Sequence, residues 1–251
     1  MTHQAGRGFD RSDAPVILMA AGLGSRLGAL TAQLPKALIT VAGKPLLAYA
    51  VAFAQAVTSG EVIVVGGFQY ERVAAEIADR ALPVTLVQNP HFRDGNLISL
   101  LAARAAVGAR GFLLMNVDHI YRPAIARLAA LPADEITAFV DHDRTLGTDD
   151  MKVARDDDGR VRLISKQLTT FDRGYVGMTR VPSSATARYW AEAEAALAAE
   201  GRAIAVERVL ARLAAAGQPP QCRDISGHGW LEVDLPDERD HAERVLASGS
   251  W

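Results

Sequence analysis

Gly22-Leu23-Gly24-Ser25, followed at once by Arg26 and further on by Lys36, is a set of residue types suited to holding phosphate. Glycines without side chains let backbone N–H groups approach anionic oxygens, and the two cations add fixed positive charge on either side of a short polar segment. The apolar run over 16–21 has the length and character of a buried strand, so the pattern reads as a strand entering a loop for a polyphosphorylated ligand. Two familiar loops are excluded. A Walker A loop needs a Lys-Ser/Thr pair straight after its second glycine, and a dinucleotide fingerprint needs a third glycine where Leu27 stands, Gly28 coming one residue late. An acidic ribose anchor is also missing, since 41–48 reads VAGKPLLA.

Asp118-His119 forms a second constellation, directly after the most hydrophobic strand-like stretch, 111–117. Asp118 taken alone reads equally well as an acid capping a turn. Asp234 shifts that balance, because it lies in a short alternating segment, 230–235, that ends at Pro236. Two carboxylates presented by two strand ends suit a hard cation such as Mg²⁺, which takes one or two protein carboxylates and leaves the rest of its shell to phosphate and water. Asp118 and Asp234 are therefore the metal-ligand candidates. Asp156, Asp157 and Asp158 beside Gly159 read as a solvated turn, because a calcium loop needs more ligands at wider spacing. Lys152 and Lys166 flank that hairpin, either as surface charge or as binding groups. The single Cys222 excludes an intramolecular disulfide and a cysteine-based zinc site, and reads as a small buried hydrophobe.

The elements that would position these groups alternate. Strands are expected over 61–65, 84–87 and 111–117, and helices over 46–57, 70–80 and 96–107. This implies an α/β protein with a Rossmann-like, mixed and mostly parallel sheet covered by helices on both faces. Ligands of such sheets bind at the carboxyl ends of strands, which selects 22–26, Gly66 and Gly67, Gln88 and Asn89, then Asp118 and His119. Further strands are expected over 136–140, around the Gly159 hairpin and over 172–178. Helices follow over 183–199, capped by Ser183 or Ser184, then over 206–216 and 237–246, with Tyr189 and Trp190 assigned to packing.

At 251 residues, 49% hydrophobic and 22% charged, the chain suits one large domain over 15–251 and is short for two. Its nucleotide-binding part would span about 15–120 and its acceptor-binding part about 121–235. Residues 1–14 lack the apolar core of a secretory signal and read as a flexible tail. No later stretch approaches the roughly 18 uninterrupted apolar residues of a membrane span. With one cysteine and a formal charge of −2, a cytoplasmic protein is expected, without a nucleic-acid or membrane partner. A homodimer is left open.

Ala20-Ala21-Gly22-Leu23-Gly24-Ser25-Arg26-Leu27, then Pro35-Lys36-Ala37-Leu38 and Gly43-Lys44-Pro45-Leu46, resembles the signature of the sugar-nucleotidyltransferase superfamily, AAGxGxRL followed by PKxL. Within it, the chain is most similar to the inositol-1-phosphate cytidylyltransferases and their relatives acting on small phosphorylated head groups. The residues that carry this are Gln88-Asn89-Pro90, Gly95-Asn96 with Ser99, MNVDHIY over 115–121, Met151-Lys152-Val153, Ile164-Ser165-Lys166 and WLEVDLPD over 230–237. The resemblance runs from residue 16 to about 246. It implies a nucleotidyltransferase (GT-A-like) fold and Mg²⁺-dependent transfer of CMP from CTP to a small phosphorylated acceptor, first of all inositol-1-phosphate, with release of pyrophosphate.

The same resemblance implies roles for single residues. Arg26 would grip the β- and γ-phosphates, Lys36 the α-phosphate and Lys166 the acceptor phosphate, while Asp118 and Asp234 hold the metal. The nucleotide would lie against Ala20, Ala21, Gly22, Leu23, Gly24, Ser25, Gly66, Gln88, Asn89, Asn96 and Ser99, and the acceptor against His119, Lys152, Lys166, Gly174 and Tyr175. Ser165, Asp149-Asp150-Met151 and Arg173 depart from the family pattern, all on the acceptor side. Phosphocholine, a phosphonate, or a sugar-1-phosphate with another nucleotide therefore stand as alternatives. Cytosine presents an amino donor where uracil has a carbonyl, so a selective pocket needs an acceptor, either a backbone carbonyl or the amide oxygen of Gln88 or Asn96. The rival from another class is a non-catalytic nucleotide-binding regulatory module, which would be free to lose Lys36, Asp118 or Asp234; all three are present.

Overall fold

The structure, a computed structural model, describes residues 12–31, 33–249 and 251. β1 (Val16–Ala20) leads through the glycine turn and a short ribbon, β2 (Thr40–Val41) with β3 (Lys44–Pro45), into α1 (Leu46–Val57). Then β4 (Val62–Gly66), α2 (Tyr70–Asp79), β5 (Thr85–Gln88), α3 (Asn96–Ala102), α4 (Arg104–Val107) and β6 (Phe112–Asn116) follow in the expected alternation. β1 pairs in parallel with β4 and β6, and β4 with β5. These strands are apolar at nearly every position because both faces are covered: Ile17, Ile63 and Leu114 enter one core, and Leu18, Val64 and Leu113 the other.

The second half is largely antiparallel. It comprises β7 (His119–Tyr121), α5 (Pro123–Ala130), β8 (Thr137–Asp141), β9 (Lys152–Arg155), β10 (Val161–Ser165), β11 (Arg173–Val181), α6 (Ser183–Glu200), α7 (Glu207–Ala215), β12 (Gln221–Asp224), β13 (Trp230–Glu232) and α8 (Pro236–Ala247). β11 joins the halves. It runs antiparallel to β6, to β9 and, along its other edge, to β8, which takes β12 in parallel. The result is a mixed sheet of nine strands among the described residues. Tyr189 and Trp190 pack against Phe112 in the core, as expected of them.

Three local readings change. The helix expected over 96–107 divides at Ala103, whose N–H turns back to the carbonyl of Leu100 in a tightened turn. Neither Ser183 nor Ser184 caps α6. Pro182 takes the cap position with φ −71° and no side-chain cap bond forms, so both serines already lie in the first turn. Of the expected tail, residues 1–11 lie outside the described residues, while Ser12 is held by backbone hydrogen bonds with Val57 and Ser59 at 2.9 and 2.8 Å. Among the described residues no helix is long and apolar enough to cross a membrane.

Candidate active site

The short ribbon of β7 and β13 builds the centre of the site. His119 pairs with Glu232 in its register, and the N–H of Val233 donates to the carbonyl of Asp118 at 3.0 Å. Asp118 and Asp234 therefore emerge at the same end of the ribbon. Glu238, in the first turn of α8, accepts the N–H groups of Asp234 and Leu235 at 2.8 and 3.0 Å and fixes the turn that presents Asp234. Lys36 comes from the opposite side and is only 8% exposed. Gly24 admits it: φ is +66°, and a Cβ there would stand 2.8 Å from the Lys36 Cβ. Thr31 holds the same turn by donating its hydroxyl to the Gly24 carbonyl at 2.7 Å.

The Lys36 ammonium bridges the two acids, donating to Asp118 Oδ2 and, at 2.5 Å, to Asp234 Oδ1. Arg26 pairs with the other oxygen of Asp234, and His119 Nδ1 lies 2.7 Å from Asp118 Oδ1. Burial disfavours charge on Lys36, yet Asp118 and Asp234 outweigh it and hold the ammonium above the ordinary lysine range. Burial likewise opposes ionisation of Asp118, but Lys36 and His119 hold its carboxyl far below the usual carboxylate range. His119 is pulled down by burial and raised more strongly by Asp118. Lys36 and Asp118 thus each favour the other's charged form.

Two cavities meet at this cluster. One, of about 540 Å³, is lined by 20–26, Lys36, 92–96, Ser99, Asn116 to Asp118, 203–205 and Asp234. The other, of about 230 Å³, shares Arg26, Asn96, Asp118 and Asp234 and adds His119, Lys166, Gly174 and Tyr175. Most nucleotide candidates thus line the first cavity, and His119, Lys166, Gly174 and Tyr175 line the second. Gly66, Gln88 and Asn89 line neither. Gly66 ends β4 against the ring of Tyr70, and Gln88 is exposed at the end of the edge strand β5. Asn89 is buried with both ends of its amide engaged, donating to Ser99 Oγ and accepting from His91 N–H at 2.9 Å each.

Lys152 does not line the second cavity. Its ammonium donates to the carbonyls of Gly147 at 2.6 Å, Lys166 at 2.8 Å and Asp150 at 3.4 Å, so it ties the 147–150 loop to the end of β10. Asn96 lines the first cavity, and its Oδ1 accepts the Val206 N–H at 2.6 Å. That bond orients the amide and occupies one of the two lone pairs of its oxygen.

Several lining residues carried no sequence signal. Segment 203–205 closes the first cavity because Gly95, donating to the Arg202 carbonyl at 2.7 Å, lacks a Cβ that would otherwise stand 2.0 Å from the Ile204 carbonyl. Arg144 lines the second cavity paired with Glu232 and Asp150 at 2.8 and 2.7 Å, its guanidinium 4.4 Å over Trp230. Trp230 in turn donates to Asp141 Oδ2 at 2.7 Å and stacks on His119 with ring centroids 4.8 Å apart. Asp141 and Glu207, whose carboxyls are both pushed up by burial, complete the acidic side of this cavity.

The donor set fits a hard divalent cation. Asp118 and Asp234 already converge on one cationic group, and no group of three or more His, Cys, Asp or Glu suited to a metal occurs among the described residues. Two carboxylates suit a hard divalent cation that completes its shell with phosphate and water, whereas calcium and zinc cages draw on more protein ligands.

A phosphate loop after a central parallel strand, facing two carboxylates and a second cavity, defines a nucleotide-dependent transferase. The chain belongs to the MobA-like NTP transferase domain family, whose pattern matches residues 16–216. It is 27% identical over 235 residues, 92% of its length, to the bifunctional IPC transferase and DIPP synthase of Aquifex aeolicus (strain VF5), covering 51% of that protein. It is 34% identical over 249 residues, 90% of its length, to the CMP-5'-(3-aminopropyl)phosphonate synthase of Streptomyces rubellomurinus (strain ATCC 31215), covering 38% of it. The chain thus spans about half or less of these curated relatives. Among solved structures, the inositol-1-phosphate CTP transferase from T. maritima superposes with a TM-score of 0.77 at 17% identity, over 94% of this chain and 97% of the other. The mixed sheet with helices on both faces is the fold of that neighbour.

Proposed function

We propose that the chain transfers CMP from CTP to the phosphate of inositol-1-phosphate, releasing pyrophosphate. The observation that carries this reading is Lys36 held between Asp118 and Asp234 where the phosphate-loop cavity meets a cavity lined by Lys166. Relatives named for IPC transfer and for a CMP-linked phosphonate support the choice of CTP and of a small phosphorylated acceptor. A magnesium ion held by Asp118 and Asp234 would supply positive charge to the phosphate oxygens.

The chain's own residues have a defined task. A phosphate monoester has a second pKa near ~6, so the attacking oxygen is anionic at neutral pH and needs no general base. The difficulty is bringing two anions together. Lys36, kept protonated by its two acids, faces the phosphorus under attack, and Arg26 and the loop amides receive the departing pyrophosphate. Lys166 orients the acceptor phosphate from the other cavity. Asp141, Glu207 and Glu232 line that cavity too and favour an acceptor body rich in hydrogen-bond donors, which suits the hydroxyls of inositol. The single Cys222 is consistent with a reducing, cytoplasmic setting.

The test is pyrophosphate release with Mg²⁺, pairing CTP, UTP, dTTP, ATP and GTP with inositol-1-phosphate, phosphocholine, 2-aminoethylphosphonate and glucose-1-phosphate. Release confined to CTP and inositol-1-phosphate is expected. Release with another pair would replace the substrate, and none with any pair would favour a regulatory nucleotide-binding module.

A further inference from the structure

At the opposite edge of the sheet, where β1 begins and β11 ends, a groove of about 1020 Å³ is lined by Arg110, Arg127, Arg180, Leu131, Pro182 and Ser183, among others. Arg180 is 6% exposed and has no ion-pair partner among the described residues. One guanidinium nitrogen donates to Ser12 Oγ, and the other, Nη1, has no hydrogen-bond partner among the described residues. Arg223, the neighbouring guanidinium, is engaged by the carbonyls of Leu128, Leu131 and Pro132 and repels Arg180, while Asp13 attracts Arg180 without forming an ion pair with it. Asp13, exposed on the lip, is the one acid lining the groove among the described residues.

A buried cation without a carboxylate partner is unfavourable unless an anion completes it. The groove adds two further attractions for such an anion. The 18-residue α6 begins at its wall with no side-chain cap, presenting the positive end of the helix. Arg110, tied to Glu61 at 2.9 Å, lies on the same wall. None of this belongs to the catalytic cavities. Those open at the other ends of β1, β6 and β11, about 17 Å away along a five-residue strand.

We propose that this groove is a second anion site, in which Arg180 and the start of α6 bind the phosphate of a small phosphorylated molecule. Phosphate could come as the free ion or as an ester, and the two are told apart by titrating inorganic phosphate and CMP separately.

The experiment uses the full chain carrying Lys36→Ala, to weaken phosphate binding at the catalytic cluster, with isothermal titration of each probe. Saturable binding is expected, and it should weaken at least roughly tenfold when Arg180→Met is added, as for loss of a charge-assisted contact. Should Arg180→Met fail to fold, Leu131→Glu decides. Leu131 is 49% exposed and lines the groove, so the new carboxylate repels an anion without disturbing the core. Tighter binding of CMP supports an ester as the natural ligand, and equal binding supports the free ion. Absence of saturable binding to the Lys36→Ala chain, or binding that survives both added substitutions, overturns the proposal.

Discussion

Gly177 lies directly beneath His119. Its φ is +68°, and a methyl group there would stand 2.9 Å from the imidazole Cε1 and 2.7 Å from the Asn116 amide nitrogen. It occupies the register shift of β11 between Tyr175 and Thr179, where the strand bends past the acceptor cavity. Gly177→Ala should therefore lower stability by about 1–3 kcal/mol, from backbone strain and overpacking, and raise the acceptor KM by moving His119. Urea unfolding and initial rates test both, and a variant with wild-type values in each would refute the assignment.

Lys36 and Lys166 should separate kinetically. In the proposed reaction Lys36 faces the phosphorus under attack, so Lys36→Ala is expected to lower kcat by roughly 10²- to 10³-fold with little change in acceptor KM. Lys166→Ala should raise acceptor KM as well as lower kcat. Small and equal effects from the two substitutions would contradict these roles.

Lys152 makes a different prediction because its ammonium serves three backbone carbonyls. Lys152→Met leaves those carbonyls without their charged donor and should destabilise the fold by about 1–3 kcal/mol. The CTP KM should stay unchanged, since Lys152 does not line the nucleotide cavity. A large loss of CTP affinity at normal stability would argue against a structural tie.

The charge cluster sets a pH dependence. Burial raises the Asp118 carboxyl, but Lys36 and His119 outweigh it and depress it below the ordinary value. Such a group contributes stability that is fully present above its unfolded pKa, about 3.9, and is lost as pH falls below it. Lys36 is raised, so its contribution is present below about 10.4 and is lost at higher pH. In urea unfolding the stability gap between wild type and Asp118→Asn should therefore shrink from pH 7 to pH 3. A constant gap would show that the pairing does not hold Asp118 ionised.

Cys222 packs beside the core, and burial pushes its thiol up to about 12. At pH 8 only about 10⁻⁴ of it is thiolate, so native protein should resist iodoacetamide while urea-unfolded protein is alkylated quickly. Mass spectrometry reads the difference directly, and rapid labelling of the native chain would contradict the burial.

What the sequence disclosed was local or strongly patterned. The alternation of apolar runs with helices announced β1, β4, β5 and β6, and the glycine turn, Arg26 and Lys36, singled out by residue type, line one cavity. The break at Ala103 was invisible because no glycine or proline marks it. Side-chain commitments were equally hidden. Asn96 turns to Val206 and Lys152 to Gly147 because the chain brings those backbone groups to them, and neither residue's type reveals its partner. Asp141 at the end of β8 and Arg144 in the loop after it reach the second cavity through their contacts with Trp230, Asp141 pairing with it across 89 positions.

The two acids on either side of Lys36 come from distant parts of the chain, with Asp234 lying 198 positions beyond the lysine. Asp234 takes its place only when β13 has zipped onto β7 and Glu238 has closed the turn behind it. A ribosome making this protein therefore delivers Asp234 long after the glycine turn and Lys36. A nascent chain stalled between them holds Lys36 with one of its two acids, and it gains the second only when β13 emerges and pairs with β7.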